Sequence, residues 1–164
     1  MDTWNLIIDP EQNGDSNMRT DEGLLHLMAD ERIPPTLRFY QWNKPTITVG
    51  LNQDIGSSLN IEFCKKNDIP IVRRPTGGRA ILHGHELSYS VIAPTRNLFF
   101  PDGLRSSYPK IHEILCKSLQ TIGVPAELGI GKRDRKYFKN PSCFGSVTQD
   151  EITVHGKKIC GSAQ

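Results

Sequence analysis

The run Ile71 to Ala93, IVRRPTGGRAILHGHELSYSVIA, constrains the fold more than any other stretch of the chain. Two adjacent arginines lead into Pro75, Thr76, Gly77, Gly78 and Arg79, and apolar residues and His83 follow at once. Apolar segments on either side of a Gly-Gly pair read as strands delivering a basic turn. The glycines allow positive φ and a close approach of the main chain, so amide N–H groups can point at an oxygen-rich group. Arg73, Arg74 and Arg79 add positive charge, while a surface β-turn with solvated arginines is the simpler alternative for a bare Gly-Gly pair. A second glycine-marked segment, Ser142 to Gln164, carries Cys143, Lys158 and the closing Gly161, Ser162, Ala163 and Gln164. Two such segments far apart in sequence suggest one shared site.

With 164 residues, 37% of them hydrophobic, the chain suits one packed domain better than two. Its net charge of +2 comes from mixed charges without a lysine- and arginine-dense block, which argues against a nucleic-acid or membrane-surface partner. The start Met1-Asp2-Thr3-Trp4-Asn5 lacks the basic and apolar regions of a secretion signal, and no apolar run reaches the roughly 18 residues needed to span a bilayer. The expectation is a cytoplasmic protein. Cys64, Cys116, Cys143 and Cys160 form no C-x-x-C pair, so they read as free thiols and not as a disulfide framework or zinc site.

Periodicity predicts a strand from Trp4 to Asp9 ending at Pro10, then a helix with Met18, Leu24, Leu25 and Met28 on its inner side and Arg19, Asp21 and Glu22 in water. Strands follow at Leu37 to Trp42 and Thr46 to Val49, a short helix at Ile61 to Asn67, and strands at Ile69 to Arg73, Ala80 to Leu82 and Leu87 to Ala93. Ile111, Ile114, Leu115, Leu119 and Ile122 recur at helical spacing before Gly123 and Pro125. Lys132 to Lys139 reads as an exposed loop, and Ile152 to Val154 with Lys158 to Cys160 as a hairpin around His155-Gly156.

Cys143 follows the turn-forming Asn140-Pro141-Ser142, and a thiol of pKa about 8.5 needs a nearby cation to act as a nucleophile at neutral pH. Lys158 is the candidate cation; a buried inert cysteine and a snorkelling lysine are the simpler alternative. Lys157 and Lys158 face opposite sides of a strand, and spacing does not choose between them. Cys160 shares a face with Lys158 and reads as a packing residue. His83 and His85 resemble a metal-binding H-x-H without a marked third ligand, and read as polar residues around a pocket. Phe39, Tyr40 and Trp42 read as sheet packing, with the lining of an apolar ligand tunnel as the alternative.

Taken together, these residues resemble the lipoate-protein ligase and octanoyltransferase family, related in fold to the biotin protein ligases. The resemblance runs from Asn17-Met18 and Asp21-Glu22 through LRFYQWN at Leu37 to Asn43, to RRPTGGRAILHGHELSYSVI and GKKICGSAQ, which are specific in combination. It implies an α/β (α+β) catalytic domain over residues 1–164, like that of class II aminoacyl-tRNA synthetases and biotin protein ligases, with a mixed, mainly antiparallel sheet flanked by helices. Members normally continue beyond the Gly-Ser-Ala-Gln segment, so the resemblance also implies that these residues are the N-terminal portion of that domain. An acyl chain is expected beside the arginine-glycine loop, with Arg73, Arg74, Thr76, Gly77, Gly78, Arg79, His83, Gly161, Ser162 and Ala163 as substrate-binding residues. Lys158 is expected near the acyl carbonyl, and Cys143-Phe144 resembles the nucleophile pair of the octanoyltransferase branch.

ATP-using ligases more often have Gly-Gly-Gly where this chain has Gly77-Gly78-Arg79, and an aspartate where it has Gly84; both departures lean toward a transferase. The implied reaction moves an octanoyl group from octanoyl-acyl carrier protein, through a Cys143 thioester, to a lysine of the glycine cleavage H protein or a dehydrogenase lipoyl domain, with no cofactor required. The alternative enzyme is an ATP-dependent lipoate-protein ligase using ATP and Mg2+ through lipoyl-AMP, its phosphates held by Arg73, Arg74 and the glycine amides. A third alternative is an inactive remnant that binds an acyl group or a partner protein.

Overall fold

Thr36, Arg38, Tyr40 and Trp42 are buried at every second position of one strand, and this alternation sets the layers of the N-terminal part of the chain. The computed structural model describes residues 3–95, 100, 103–129 and 151–164. They fall into two compact units, Met1–Pro94 and Thr95–Gln164.

The first unit runs β1 (Asn5–Gln12), α1 (Gly14–Ala29), β2 (Thr36–Trp42), β3 (Thr46–Val49), α2 (Ile55–Ser58), α3 (Ile61–Lys66), β4 (Ile71–Arg73), β5 (Ile81–His83) and β6 (Ser88–Ile92). It forms two three-stranded sheets, ordered β1-β2-β6 and β4-β3-β5. In each, the middle strand is parallel to one neighbour and antiparallel to the other. The strands on either side of Asn43-Lys44-Pro45 therefore belong to different sheets, as do β5 and β6. The first strand does not stop at Pro10 as the sequence suggests. β1 lies on a sheet edge, where a missing N–H is tolerated, and its register shifts between Ile8 and Glu11.

Asn13 caps α1 by accepting from the Ser16 N–H at 2.8 Å. The inner face of the helix carries Gly14, Asn17, Met18, Asp21 and Met28, whereas Leu25 is exposed. Asp21, expected in water, is buried because the fully buried Arg38 lies beneath it. Arg38 Nη1 donates to Asp21 Oδ1 at 2.7 Å and to the Asn17 carbonyl at 3.1 Å, Nη2 to Asn17 Oδ1 at 3.0 Å, and Nε to Asp9 Oδ2 at 2.7 Å. Tyr40 and Ser90 hydroxyls also donate to Asp21, and the Arg38 guanidinium lies 4.1 Å from the Tyr40 ring centre. Met18, Tyr40 and Trp42 form the apolar part of this core, with Val72 against them. A Cβ on Gly14 would come within 2.6 Å of Thr46 Cγ2, so α1 meets the second sheet closely at its first turn.

The second unit comprises α4 (Leu104–Thr121), β7 (Ala126–Leu128), β8 (Ile152–Val154) and β9 (Lys157–Lys158), the strands forming an antiparallel sheet ordered β7-β8-β9. Four of the six strand pairings among the described residues are antiparallel. Cys116, Ala126 and Ile152 are the core, packed by Leu115, Leu119, Val124, Val154 and Cys160. The helix stops near Gly123 as expected, but its inner face is displaced from the apolar repeat: Ile114 is 47% and Ile122 74% exposed, while Ser107, His112 and Cys116 are buried. His155 and Gly156, with φ of 49° and 72°, make the two-residue turn between β8 and β9, the doubly left-handed pattern that suits a tight hairpin. This turn pairs Val154 with Lys157, so the second strand is Lys157–Lys158 and not Lys158 to Cys160. Lys132 to Lys139 lies outside the described residues. Among the described residues, no helix is long and apolar enough to cross a membrane.

Removing the Arg38 guanidinium strands two carboxylates in low dielectric. Arg38→Leu is expected to lower unfolding free energy by about 3–5 kcal/mol in urea titrations. Arg19→Ala, which breaks the exposed Arg19–Asp15 pair, is expected to leave the midpoint unchanged.

Candidate functional site

β4 delivers Arg73 and Arg74 into the glycine loop, and both side chains turn back on the main chain. Arg73 Nη1 donates to the carbonyls of Gly50 at 2.6 Å, Leu51 at 2.7 Å and Gln53 at 3.0 Å. Arg74 is buried; Nη1 donates to the Thr48 carbonyl and hydroxyl, and Nη2 to the carbonyls of Gly77 at 2.6 Å and Arg79 at 2.9 Å. Leu51 N–H donates to the Thr76 carbonyl at 2.8 Å. The two arginines thus frame the loop. A trans peptide points its C=O and N–H in opposite directions, so with the carbonyls of Thr76, Gly77 and Arg79 drawn into this frame the N–H groups of Gly77, Gly78 and Ala80 turn away from it. The loop also needs a close backbone crossing: Gly78 has φ 88°, and a Cβ on Gly50 would stand 2.2 Å from the Gly78 oxygen.

The same frame reaches His83 at the end of β5. Thr48 Oγ1, which accepts from Arg74, lies 2.9 Å from His83 Nε2, and His83 Nδ1 lies 2.5 Å from Glu86 Oε1. A proton on Nδ1 satisfies both bonds, with Thr48 O–H donating to Nε2 and Nδ1–H donating to Glu86. One face of the imidazole stacks on Trp42 at 4.0 Å, and Trp42 Nε1 donates to Ser88 Oγ. His83 is therefore a brace between the two sheets. His85 lies beyond β5 and is exposed, so the two imidazoles do not share a strand face. Burial pushes the Glu86 carboxyl up, but the bonds from His83 and from the Gly84 N–H outweigh it and hold the group below its usual value of 4.5.

In the second unit, hairpin register resolves the two lysines. Lys157 is exposed, whereas the Lys158 side chain is only 2% exposed and donates to Glu151 Oε1 at 2.6 Å; the Glu151 side chain is 4% exposed. Past β9, Ile159 N–H donates to the Ile152 carbonyl, and Ser162 Oγ lies 2.7 Å from His112 Nε2 and 3.5 Å from Cys160 Sγ. Gln164 Nε2 donates to the Ser107 hydroxyl, and Tyr108 packs on the His112 ring at 4.2 Å. The Gly161-Ser162-Ala163 segment is thereby fastened to α4. Cys160 packs against the core, as expected.

Two residues were missed from sequence. His112 was signalled only by its place four residues from Tyr108 and from Cys116, and Glu151 only by its parity with Thr153, the cross-strand partner of Lys158. Cys143, with Asn140, Pro141, Ser142 and Phe144, lies outside the described residues.

A family model described as the lipoyl protein ligase A/B catalytic domain matches residues 13–164. The chain belongs to this family. Among relatives of this lipoyl ligase A/B domain, octanoyltransferase LipM of Halalkalibacterium halodurans is 36% identical over 169 residues, covering 100% of this chain and 61% of the relative. The lipoate-protein ligase A structure bound with ATP superposes with TM-score 0.70 at 23% identity, covering 98% of this chain and 59% of the other. A Thermoplasma acidophilum bi-partite lipoate protein ligase, described with its E2 lipoyl domain, superposes with TM-score 0.68 at 21% identity, covering 97% and 55%. These structures share the fold, mixed sheets flanked by helices. The chain spans about 61% of the length of the octanoyltransferase it matches.

Gly50→Ala is expected to unseat the glycine loop of this ligase-family domain, speeding amide hydrogen exchange at Gly77 and Gly78 while leaving exchange in β7 and β8 unchanged. Because the Glu86 folded-state pKa is depressed, its bonds contribute stability that is complete above the unfolded value and lost as pH falls through the lower folded value. The stability difference between wild type and Glu86→Gln is accordingly expected to shrink toward zero in denaturant titrations between about pH 6 and about pH 3.

Proposed function

We propose that this chain carries the transfer chemistry of a protein N-octanoyltransferase. The observation that carries the reading is Lys158: a side chain buried at the end of a hairpin, next to the fastened Gly-Ser-Ala segment, in a chain similar over its whole length to an octanoyltransferase. Cys143 thiolate attacks the octanoyl thioester of acyl carrier protein. The tetrahedral oxyanion collapses, the phosphopantetheine thiolate leaves and takes up a proton, and the octanoyl group remains on Cys143. A deprotonated lysine amine of the glycine cleavage H protein or a dehydrogenase lipoyl domain then attacks the second thioester; the C–S bond breaks, an amide forms, the Cys143 thiolate is released and the proton lost by the amine passes to water.

Exchange of one thioester for another is close to balanced, and amide formation from a thioester is downhill, so the route needs neither ATP nor Mg2+. Lys158 stabilises the thiolate or donates to the oxyanion. Thr76, Gly77, Gly78 and Arg79 in the first unit, and Gly161, Ser162 and Ala163 in the second, are the substrate-binding residues of this reading. Arg73, Arg74 and His83 act by shaping the loop. That use of the two guanidiniums on main-chain carbonyls supports transfer over a ligase reading, in which they would hold ATP phosphates. Acyl carrier protein as the donor supports a cytoplasmic setting for the reaction.

Incubation with octanoyl-acyl carrier protein, followed by mass spectrometry, is expected to show one octanoyl adduct on Cys143. Cys143→Ala is expected to abolish it and Lys158→Ala to slow its formation on the order of 100-fold or more. No adduct on folded wild type refutes octanoyl transfer, and lipoate-dependent pyrophosphate release from ATP that survives in Cys143→Ala assigns the chain to ligation instead.

A further inference from the structure

The ammonium of Lys158 is fixed by a carboxylate that the transfer reaction does not itself require. Lys158 Nζ and Glu151 Oε1 stand 2.6 Å apart, with side chains 2% and 4% exposed. Glu151 directly precedes β8, and its parity with Thr153, the cross-strand partner of Lys158, puts both charged side chains on one face of the hairpin. Its main chain is pinned as well, since the Gly129 N–H donates to the Glu151 carbonyl at 2.7 Å. A charge pair this deep is a poor device for stability, because desolvating two ions consumes most of their attraction and apolar residues of similar volume would fill the same space. It is a good device for direction. Lysine's stem has four rotatable bonds, and locking one N–H onto a fixed oxygen sets the directions of the other two.

We propose that Glu151 is the positioning residue for Lys158, aiming its ammonium at the place where the acyl carbonyl oxygen gathers charge. The proposal rests on the octanoyl-transfer reading and deepens it: Lys158 works as an oriented cationic donor, and the carboxylate stays unreacted through both half-reactions, forming and breaking no covalent bond. A donor held in place before reaction lowers the barrier without strengthening substrate binding. Loss of Glu151 should therefore appear in the maximal rate and not in the half-saturating concentration of acyl carrier protein.

Single-turnover acylation of Cys143 separates these effects. Glu151→Gln keeps the size and an amide oxygen but removes the charge; it is expected to lower the maximal rate by about 30- to 100-fold with half-saturation within about twofold of wild type. Glu151→Asp, which retains the charge, is expected to recover at least about a third of that loss on a logarithmic scale. A parallel readout that needs no turnover is the 15N spectrum of lysine NH3+ groups, in which Lys158, assigned by its loss in Lys158→Arg, gives a slowly exchanging signal that disappears in Glu151→Gln while the Ile152 and Thr153 amide signals stay in place. A Glu151→Gln rate within about threefold of wild type, a change confined to half-saturation, or an unchanged Lys158 signal overturns the positioning role. If wild type forms no thioester, octanoyl transfer falls on that result alone, and the NH3+ spectrum still decides whether Glu151 orients Lys158.

Discussion

The guanidinium of Arg38 is the point on which the N-terminal unit depends. It is fully buried, and its N–H groups reach Asp9 on β1 and Asn17 and Asp21 on α1, while Asp21 also collects hydroxyls from Tyr40 on β2 and Ser90 on β6. Every strand of the first sheet and the helix covering it are therefore tied into one network around this cation, β6 through Asp21. Burial, and then the Asp21 carboxylate, push the Tyr40 hydroxyl well above its usual range, which keeps it a donor to that carboxylate. A guanidinium with this many oriented acceptors is satisfied, but the loss of one partner leaves the others charged and dry. Because α1 is seated by this network, its first turn meets Thr46 and Val72 of the second sheet, the sheet that presents the arginine-glycine loop.

Charge serves direction in both units. Arg73 and Arg74 hold carbonyls of the loop and its neighbouring turn, and the chain of bonds from Arg74 through Thr48 and His83 to Glu86 extends that frame to the start of β6. In the second unit, Glu151 holds Lys158 and His112 meets Ser162. In each case hydrogen bonds from side chains hold a glycine-marked turn in place. Such second-layer fastening is what a site needs if donors are to be aimed before a substrate arrives.

The glycine segments were legible because backbone demands are local: Gly78 needs its positive φ, and Gly156 needs it in the hairpin turn. Helices ended where capping and turn residues ended them, and the fold class followed from motifs that are specific in combination. What the sequence concealed was the partner of each buried polar group. Asp21 looks solvated until Arg38 is placed beneath it; the bonds that Arg73 and Arg74 make to the carbonyls of Gly50 and Gly77 carry no signal in the sequence. His112 disturbs the apolar repeat of α4, and following Ile114 and Ile122 in its place rotated the expected inner face. Lys157 and Lys158 became distinguishable only with the register fixed by the His155-Gly156 turn.

The account stands on the lysine-bearing hairpin meeting an acyl thioester. Titration of 15N-labelled protein with an octanoyl-pantetheine analogue whose thioester is replaced by an unreactive ketone tests this most directly. Amide signals of Gly161, Ser162 and Ala163 are expected to shift and to saturate with one dissociation constant. Signals of these three residues that stay in place at saturating analogue would contradict it.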